Sequence, residues 1–268
     1  MIGIVVVSHS PALARAAVDL ALEMVGETPP PIAIAAGAGD GIIGTDAVKV
    51  AEAIDEVASG EGVLVFMDLG SAVLSGTMAT EFMTTTDEVR LTDAPFVEGL
   101  IAAIVLANAG ASLDEVDREA RAAMGPKQSQ LADQGGAAPA AESNPNAAEA
   151  VAAADSAAAA PAAPAAPEAT TAGPAEITTD ATLVNPDGLH ARPASLIVQA
   201  LAGVDATLTI ADVTAGKGPV SAKSLIGIMS LGAAKDHVLR FTATGDAAQQ
   251  AIDTLVTMTA DGFGELAN

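Results

Sequence analysis

Residues 135–175 constrain the chain more than any other stretch. They hold 21 alanines and 6 prolines, and Val151 is their only branched apolar residue. Such a segment cannot bury enough apolar surface to offset the entropy of ordering it. Pro161, Pro164 and Pro167 favour extended, polyproline-like chain. A short alanine-rich helix around Ala147–Ala160 is the alternative that helix propensity leaves open. On either reading 135–175 is a linker, expected to be disordered. The remainder must fold as two units, 1–134 and 176–268, each long enough for a small domain.

Charge narrows the function. The chain carries 34 acidic and 11 basic side chains, a formal net charge of −23. Nucleic-acid binding needs clustered Lys and Arg against phosphates, so it is excluded as an expectation. Aromatic residues make up 2% of the chain, with no Trp or Tyr, which removes the usual stacking platforms for bases. The absence of cysteine removes disulfides, thiolate metal sites and cysteine nucleophiles, and fits a reducing cytoplasm. The apolar opening Met1–Val7 stops at Ser8-His9-Ser10. It is too short to span a bilayer and lacks the form of a signal peptide, so a cytoplasmic protein without membrane contact is expected.

The first unit alternates strand and helix. Ile2–Val7, Ile32–Ala35 and Gly62–Met67 are short apolar runs of the kind that form strands buried on both faces, and Val89–Leu91 makes a fourth. Helical spacing follows each: Leu13 to Met24; Val48 to Ala58, capped by Thr45; and Ala72 to Met83. Phe96–Ala107 and Ser112–Met124 read as two further helices. This order predicts an α/β fold with a parallel sheet covered by helices. The second unit differs. Ile177–Val184, Ala206–Ile210 and Val238–Thr244 alternate like half-buried strands, with a short one near Val220. Helices are predicted at Ala191–Leu201, Ser224–Leu231 and Ala247–Asp261, an α+β pattern on an antiparallel sheet.

There are three histidines. His9 falls between the first strand and the first helix, where strand ends collect ligand chemistry and unpaired helix N–H groups favour an anion. A phosphate on His9 would meet that helix end; a plain strand-end histidine is the competing reading. The glycine-rich run Ala36–Gly41, with Gly39 at its centre, and Asp68-Leu69-Gly70-Ser71 should reach the same edge. Gly39 and Gly70 would let backbone approach a ligand, and Asp68 could hold one imidazole nitrogen protonated. An ordinary helix cap is the alternative for Asp68 to Ser71. His190 precedes Ala191-Arg192-Pro193, which places it at a helix N-cap with the Arg192 charge nearby, a setting that stabilises phosphohistidine. His237 follows Lys235-Asp236 in what reads as an exposed turn without chemical role. No metal site is predicted, and no Gly-x-x-x-x-Gly-Lys loop occurs.

The run Asn185-Pro186-Asp187-Gly188-Leu189-His190-Ala191-Arg192-Pro193-Ala194 resembles the phosphorylation site of HPr, the histidine phosphocarrier of the phosphoenolpyruvate-dependent phosphotransferase system. Ser221–Leu225 and Met229–Gly232 extend the likeness over 176–268. It implies an open-faced β-sandwich with His190 phosphorylated, Arg192 assisting, and Ser224 at the position where some HPr proteins receive a regulatory phosphate. The first unit resembles mannose-family enzyme IIA domains, and more closely the phosphoryl-donor subunits of dihydroxyacetone kinases. Ile4–Ser10, Ile32–Gly37, Ile43–Val50, Met67–Ala72 and Ala94–Gly99 carry that likeness.

Together the resemblances imply a relay. Enzyme I, charged by phosphoenolpyruvate, phosphorylates His190. The group passes to His9, and then to ADP held by the nucleotide-binding subunit of the kinase, which works with a dihydroxyacetone-binding subunit. The chain would bind no cofactor and would form a homodimer through its first unit. Some relatives fuse an enzyme I fragment after the HPr domain; here the sequence stops at Asn268, so enzyme I is expected from another chain. The alternatives are an enzyme IIA–HPr component of a sugar transporter and a regulatory module whose phosphorylation state is sensed by other proteins.

Overall fold

A computed structural model describes residues 1–26, 28–39, 42–133 and 176–266. The expected linker, and the Asp40-Gly41 step of the glycine-rich run, lie outside the described residues.

The first unit runs β1 (Gly3–Ser8), α1 (Pro11–Leu22), β2 (Ile32–Ala36), α2 (Ala47–Val57), β3 (Val63–Met67), α3 (Gly70–Phe82), β4 (Val89–Leu91), α4 (Phe96–Asn108), α5 (Leu113–Ala122) and α6 (Gly125–Asp133). Its four strands lie parallel in the order β2-β1-β3-β4. Every residue of β1 is buried, which its β-branched run requires of a central strand with helices on both faces. Alternate side chains feed two apolar layers. Ile4, Val6, Leu64 and Phe66 pack in the core with α1, α4 and α5; Val5, Val7, Val63 and Val65 pack in the layer with α2 and α3.

Local chemistry sets the helix starts. Ser10 caps α1 and Pro11 occupies its first turn. Ser112 and Glu115 form a reciprocal capping box on α5. One expected cap is corrected: Asp46, not Thr45, caps α2 by accepting from the Val48 N–H at 2.9 Å. Thr45 instead bonds Ser75 on the neighbouring helix at 2.8 Å. Helix α6 was not anticipated from spacing.

The second unit runs β5 (Ile177–Thr182), α7 (Ala191–Ala200), β6 (Thr207–Asp212), β7 (Lys217–Ser221), α8 (Leu225–Ser230), β8 (Val238–Thr244) and α9 (Ala248–Ala260). The sheet is antiparallel in the order β5-β8-β6-β7. Leu208 and Ile210 of β6, with Leu239, Phe241 and Ala243 of β8, turn inward beneath the helices. The α/β and α+β classes are therefore both as the residue patterns predict.

The two units meet through their helices. Helices α7 and α8 contact α4, and α8 also contacts α5 and α6. Ile226 and Met229 of α8 stand with Ile101 and Ala123 around one cleft of this junction. The Gln199 amide donates to the Met24 carbonyl at 2.8 Å, and the Ser224 hydroxyl donates to Glu119 at 2.6 Å.

Candidate functional site

Strands β1 and β3 are neighbours, with Val7 opposite Met67. The strand order changes direction at this pair, and in open parallel sheets a crevice forms beyond the carboxyl ends at that point. His9 and Asp68 are the residues that follow these strand ends. His9 Nδ1 lies 2.8 Å from Asp68 Oδ1. The other carboxylate oxygen accepts from the His9 backbone N–H at 2.9 Å and from the Ser8 hydroxyl at 2.8 Å. Burial pushes the Asp68 carboxyl up, but these hydrogen bonds outweigh it and hold the group below its ordinary value of 3.8. An ionised carboxylate only accepts, so Nδ1 of His9 carries a proton, and in the neutral ring Nε2 keeps its lone pair.

Nε2 points to the start of α3. Ser71 Oγ lies 2.5 Å from it. Leu69, the residue that precedes α3, provides no side-chain cap, so the first N–H groups there are available to an anion. This corrects the expectation that α1 would receive it. The α1 terminus offers fewer donors, since Ser10 Oγ accepts from the Leu13 N–H at 3.3 Å and Pro11 has no N–H. Gly70 begins α3 with open space where a side chain would stand. Gly39 shapes the adjacent loop by bridging Ile42, while the hydrogen bond to the His9 carbonyl comes from Gly44 at 3.1 Å.

His190 is the N-cap of α7, and its Nδ1 accepts from the Arg192 backbone N–H at 3.4 Å. Its other nitrogen, Nε2, lies 3.0 Å from Glu265 Oε1. Gly188 makes the approach turn possible. Its φ is +71°, and a Cβ there would collide with the Ala233 carbonyl. The Arg192 side chain is exposed beside the cap. Ser224 caps α8 by accepting from the Gly227 N–H at 2.8 Å.

Residues 3–117 match the family described as the phosphotransferase-system fructose IIA component, and residues 177–261 match the one described as the phosphotransferase-system HPr component phosphorylation site. A curated relative, the phosphoryl donor subunit DhaM of the phosphoenolpyruvate-dependent dihydroxyacetone kinase of Klebsiella michiganensis, is 36% identical over 99% of this chain and 51% of its own length. Its Escherichia coli counterpart is 35% identical with the same coverage. The corresponding subunit of the second such kinase of Listeria innocua is 39% identical over 39% of this chain and 85% of its own length. The chain belongs to the DhaM family. It spans about half the length of the first two of these relatives.

Within this family frame, the structure gathers His9, Asp68 and Ser71 into one site and His190 and Arg192 into another. Glu265 was missed by sequence reasoning. It follows the last helix, far from His190 in the chain, and no local pattern links the two. His237 departs from the expected exposed turn: it is half-buried, with Nδ1 2.7 Å from the fully buried Asp212. That carboxylate also accepts from the Ala215 N–H at 2.9 Å, which makes the pair a brace between β6 and the turn before β8. Among the described residues no acidic, histidine or cysteine cluster is arranged to hold a metal, and no helix is long and apolar enough to cross a membrane.

Proposed function

We propose that the chain is a phosphohistidine relay that supplies dihydroxyacetone phosphorylation. Phosphoenolpyruvate charges enzyme I, enzyme I charges His190, His190 charges His9, and His9 passes the phosphoryl group to ADP on the nucleotide-binding subunit of a dihydroxyacetone kinase. One observation carries this reading. Each imidazole has one nitrogen against a carboxylate and the other turned toward a helix start. That arrangement leaves one nucleophilic nitrogen per ring, set where the phosphoryl charge is tolerated.

The transfer between the two histidines balances without proton movement. The Nδ1–P bond at His190 breaks as the Nε2–P bond at His9 forms. The His190 ring leaves neutral with its Nε2 proton in place. The positive charge that develops on the His9 ring is met by Asp68. Positioning and charge stabilisation are what phosphoryl transfer chiefly requires. In this reading the phosphoryl group is cargo, the chain binds no cofactor, and the nucleotide belongs to the partner.

Exposed apolar side chains support protein partners at this edge. Ile42 and Ile43 are exposed in the loop tied to His9, and Leu69 is exposed beside Asp68. Helix α3 buries only small residues and leaves Val73, Leu74, Met78 and Phe82 exposed, which supports a homodimer through the first unit. The description of the family that matches residues 3–117 favours a second reading, a sugar-transport IIA component. Reconstitution with labelled phosphoenolpyruvate, enzyme I and the two kinase subunits decides between them. Label in dihydroxyacetone phosphate supports the relay. Label that stops at His9 until a permease subunit is added overturns it.

A further inference from the structure

The phosphocarrier match ends at residue 261, and the segment beyond it turns back onto His190. Gly262–Gly264 form a single tight turn after α9, and the Glu265 N–H closes it by donating to the Gly262 carbonyl at 3.0 Å. Phe263 anchors the turn. It is 6% exposed and sits at φ +55°, a conformation rare for an aromatic residue, held by burial of its ring.

Glu265 is fixed at both oxygens. Oε1 meets His190 Nε2 at 3.0 Å, and Oε2 accepts from the Asn185 amide at 3.0 Å. Asn185 is fully buried, and the same amide nitrogen donates to the Gly188 carbonyl. Its Oδ1 has no hydrogen-bond partner among the described residues. The opposite amide orientation would set Oδ1 against two acceptors. Asn185 therefore leaves one buried acceptor unpaired while joining the turn before His190 to Glu265.

We propose that Glu265 is a positioning residue for His190, carried by a strap that follows the last helix. It keeps the proton on Nε2 and so presents the Nδ1 lone pair to the first turn of α7, where the phosphoryl group is received. The proposal rests on the relay reading for its consequence, but its geometric claim concerns the uncharged ring and can be measured separately.

The test uses the whole chain labelled with ¹⁵N-histidine. Imidazole nitrogen shifts should show His190 as the Nε2–H tautomer in the parent protein and as a mixture of tautomers in Glu265→Ala. Charging of His190 by enzyme I and phosphoenolpyruvate should slow by about 10–100-fold in that variant, the range for loss of a partner that orients a histidine ligand. Its phosphohistidine should appear on both ring nitrogens rather than on Nδ1 alone. Glu265→Gln keeps shape and an acceptor for the Nε2 proton, so it should restore the tautomer and part of the rate. Unchanged tautomer, phosphoryl position and charging rate in folded Glu265→Ala would overturn the proposal. If Glu265→Ala does not fold, Glu265→Gln decides: parent-like charging together with a mixed tautomer overturns it. A parent chain that takes no label at His190 while showing the Nε2–H tautomer would refute the relay and leave the positioning geometry standing.

Discussion

The two histidine sites set opposite ring nitrogens against their carboxylates. At His9 the carboxylate of Asp68 holds Nδ1, and Nε2 faces α3. At His190 the carboxylate of Glu265 holds Nε2, and Nδ1 faces α7. The supports differ too. Asp68 is fixed by the end of a buried parallel strand, whereas Glu265 hangs on a turn beyond the last helix. The His9 side chain is 18% exposed and that of His190 39%, so the second ring stands more open to solvent. The contrast shows that one ring type can be held through either nitrogen, according to which segment delivers the carboxylate.

Removing either ring breaks the comparison outright. In a mixture of enzyme I, phosphoenolpyruvate, this chain and the kinase subunits, His9→Ala should abolish dihydroxyacetone phosphate formation while His190 still takes label. His190→Ala should leave His9 unlabelled when no other carrier is present. Product formation at the parent rate by the first variant, or rapid labelling of His9 in the second, would remove the assigned order.

Changing the carboxylate at the buried site should cost less. Asp68→Ala should slow transfer through His9 by about 10–100-fold without unfolding the first unit, followed by quench-flow labelling and circular dichroism. Rates equal to the parent would reduce Asp68 to a structural cap. Ser71→Ala tests the short contact to Nε2 alone. A loss of about tenfold or less is expected, since one hydrogen bond of ordinary strength, about 0.5–1.5 kcal/mol, is at stake and helix N–H groups remain.

Acid stability sharpens the difference between the sites. Asp68 is held below its ordinary value of 3.8, so its stabilising effect is fully present above that value and is lost as pH falls through the lower, folded-state value. Thermal melts of Asp68→Asn should therefore show a smaller loss of stability between pH ~5 and pH ~2 than those of the parent. Melts that fall equally in both proteins would mean that other carboxylates set the acid limb.

The smallest effect is expected at the junction of the units. Ser224→Asp sets a carboxylate against Glu119, whose oxygen now accepts from the Ser224 hydroxyl at 2.6 Å. The units should separate more readily and charging of His190 should weaken modestly, as read by small-angle scattering and by label uptake. Scattering and charging that match the parent would leave Ser224 as a plain cap of α8.

Much of this was legible from residues alone, and the limits were physical. The β1 run is β-branched and wholly apolar, so a strand covered on both faces followed directly. His190 could be placed on a helix N-cap because Pro193 presets early helical geometry within a few residues of it. Asp68 was legible for a less local reason: strand ends in a parallel sheet converge, so residues after β1 and β3 must meet. The choice of helix was misread because adjacency in sequence favoured α1, whereas the His9 ring turns its Nε2 to Ser71 at the start of α3.

Sequence by itself determined most of the elements and their two periodicities, since each depends on interactions within a turn, a strand or a neighbouring residue. It also placed His9 after the first strand and His190 at a helix start through their short-range surroundings. Tertiary structure alone decided which nitrogen of each ring meets a carboxylate, because those carboxylates are delivered by distant segments. It likewise decided that Ser71 rather than the α1 terminus faces His9, and that α7 and α8 rest on α4, α5 and α6. Those outcomes follow from how whole elements pack, and packing of remote surfaces leaves no periodic trace in a single chain.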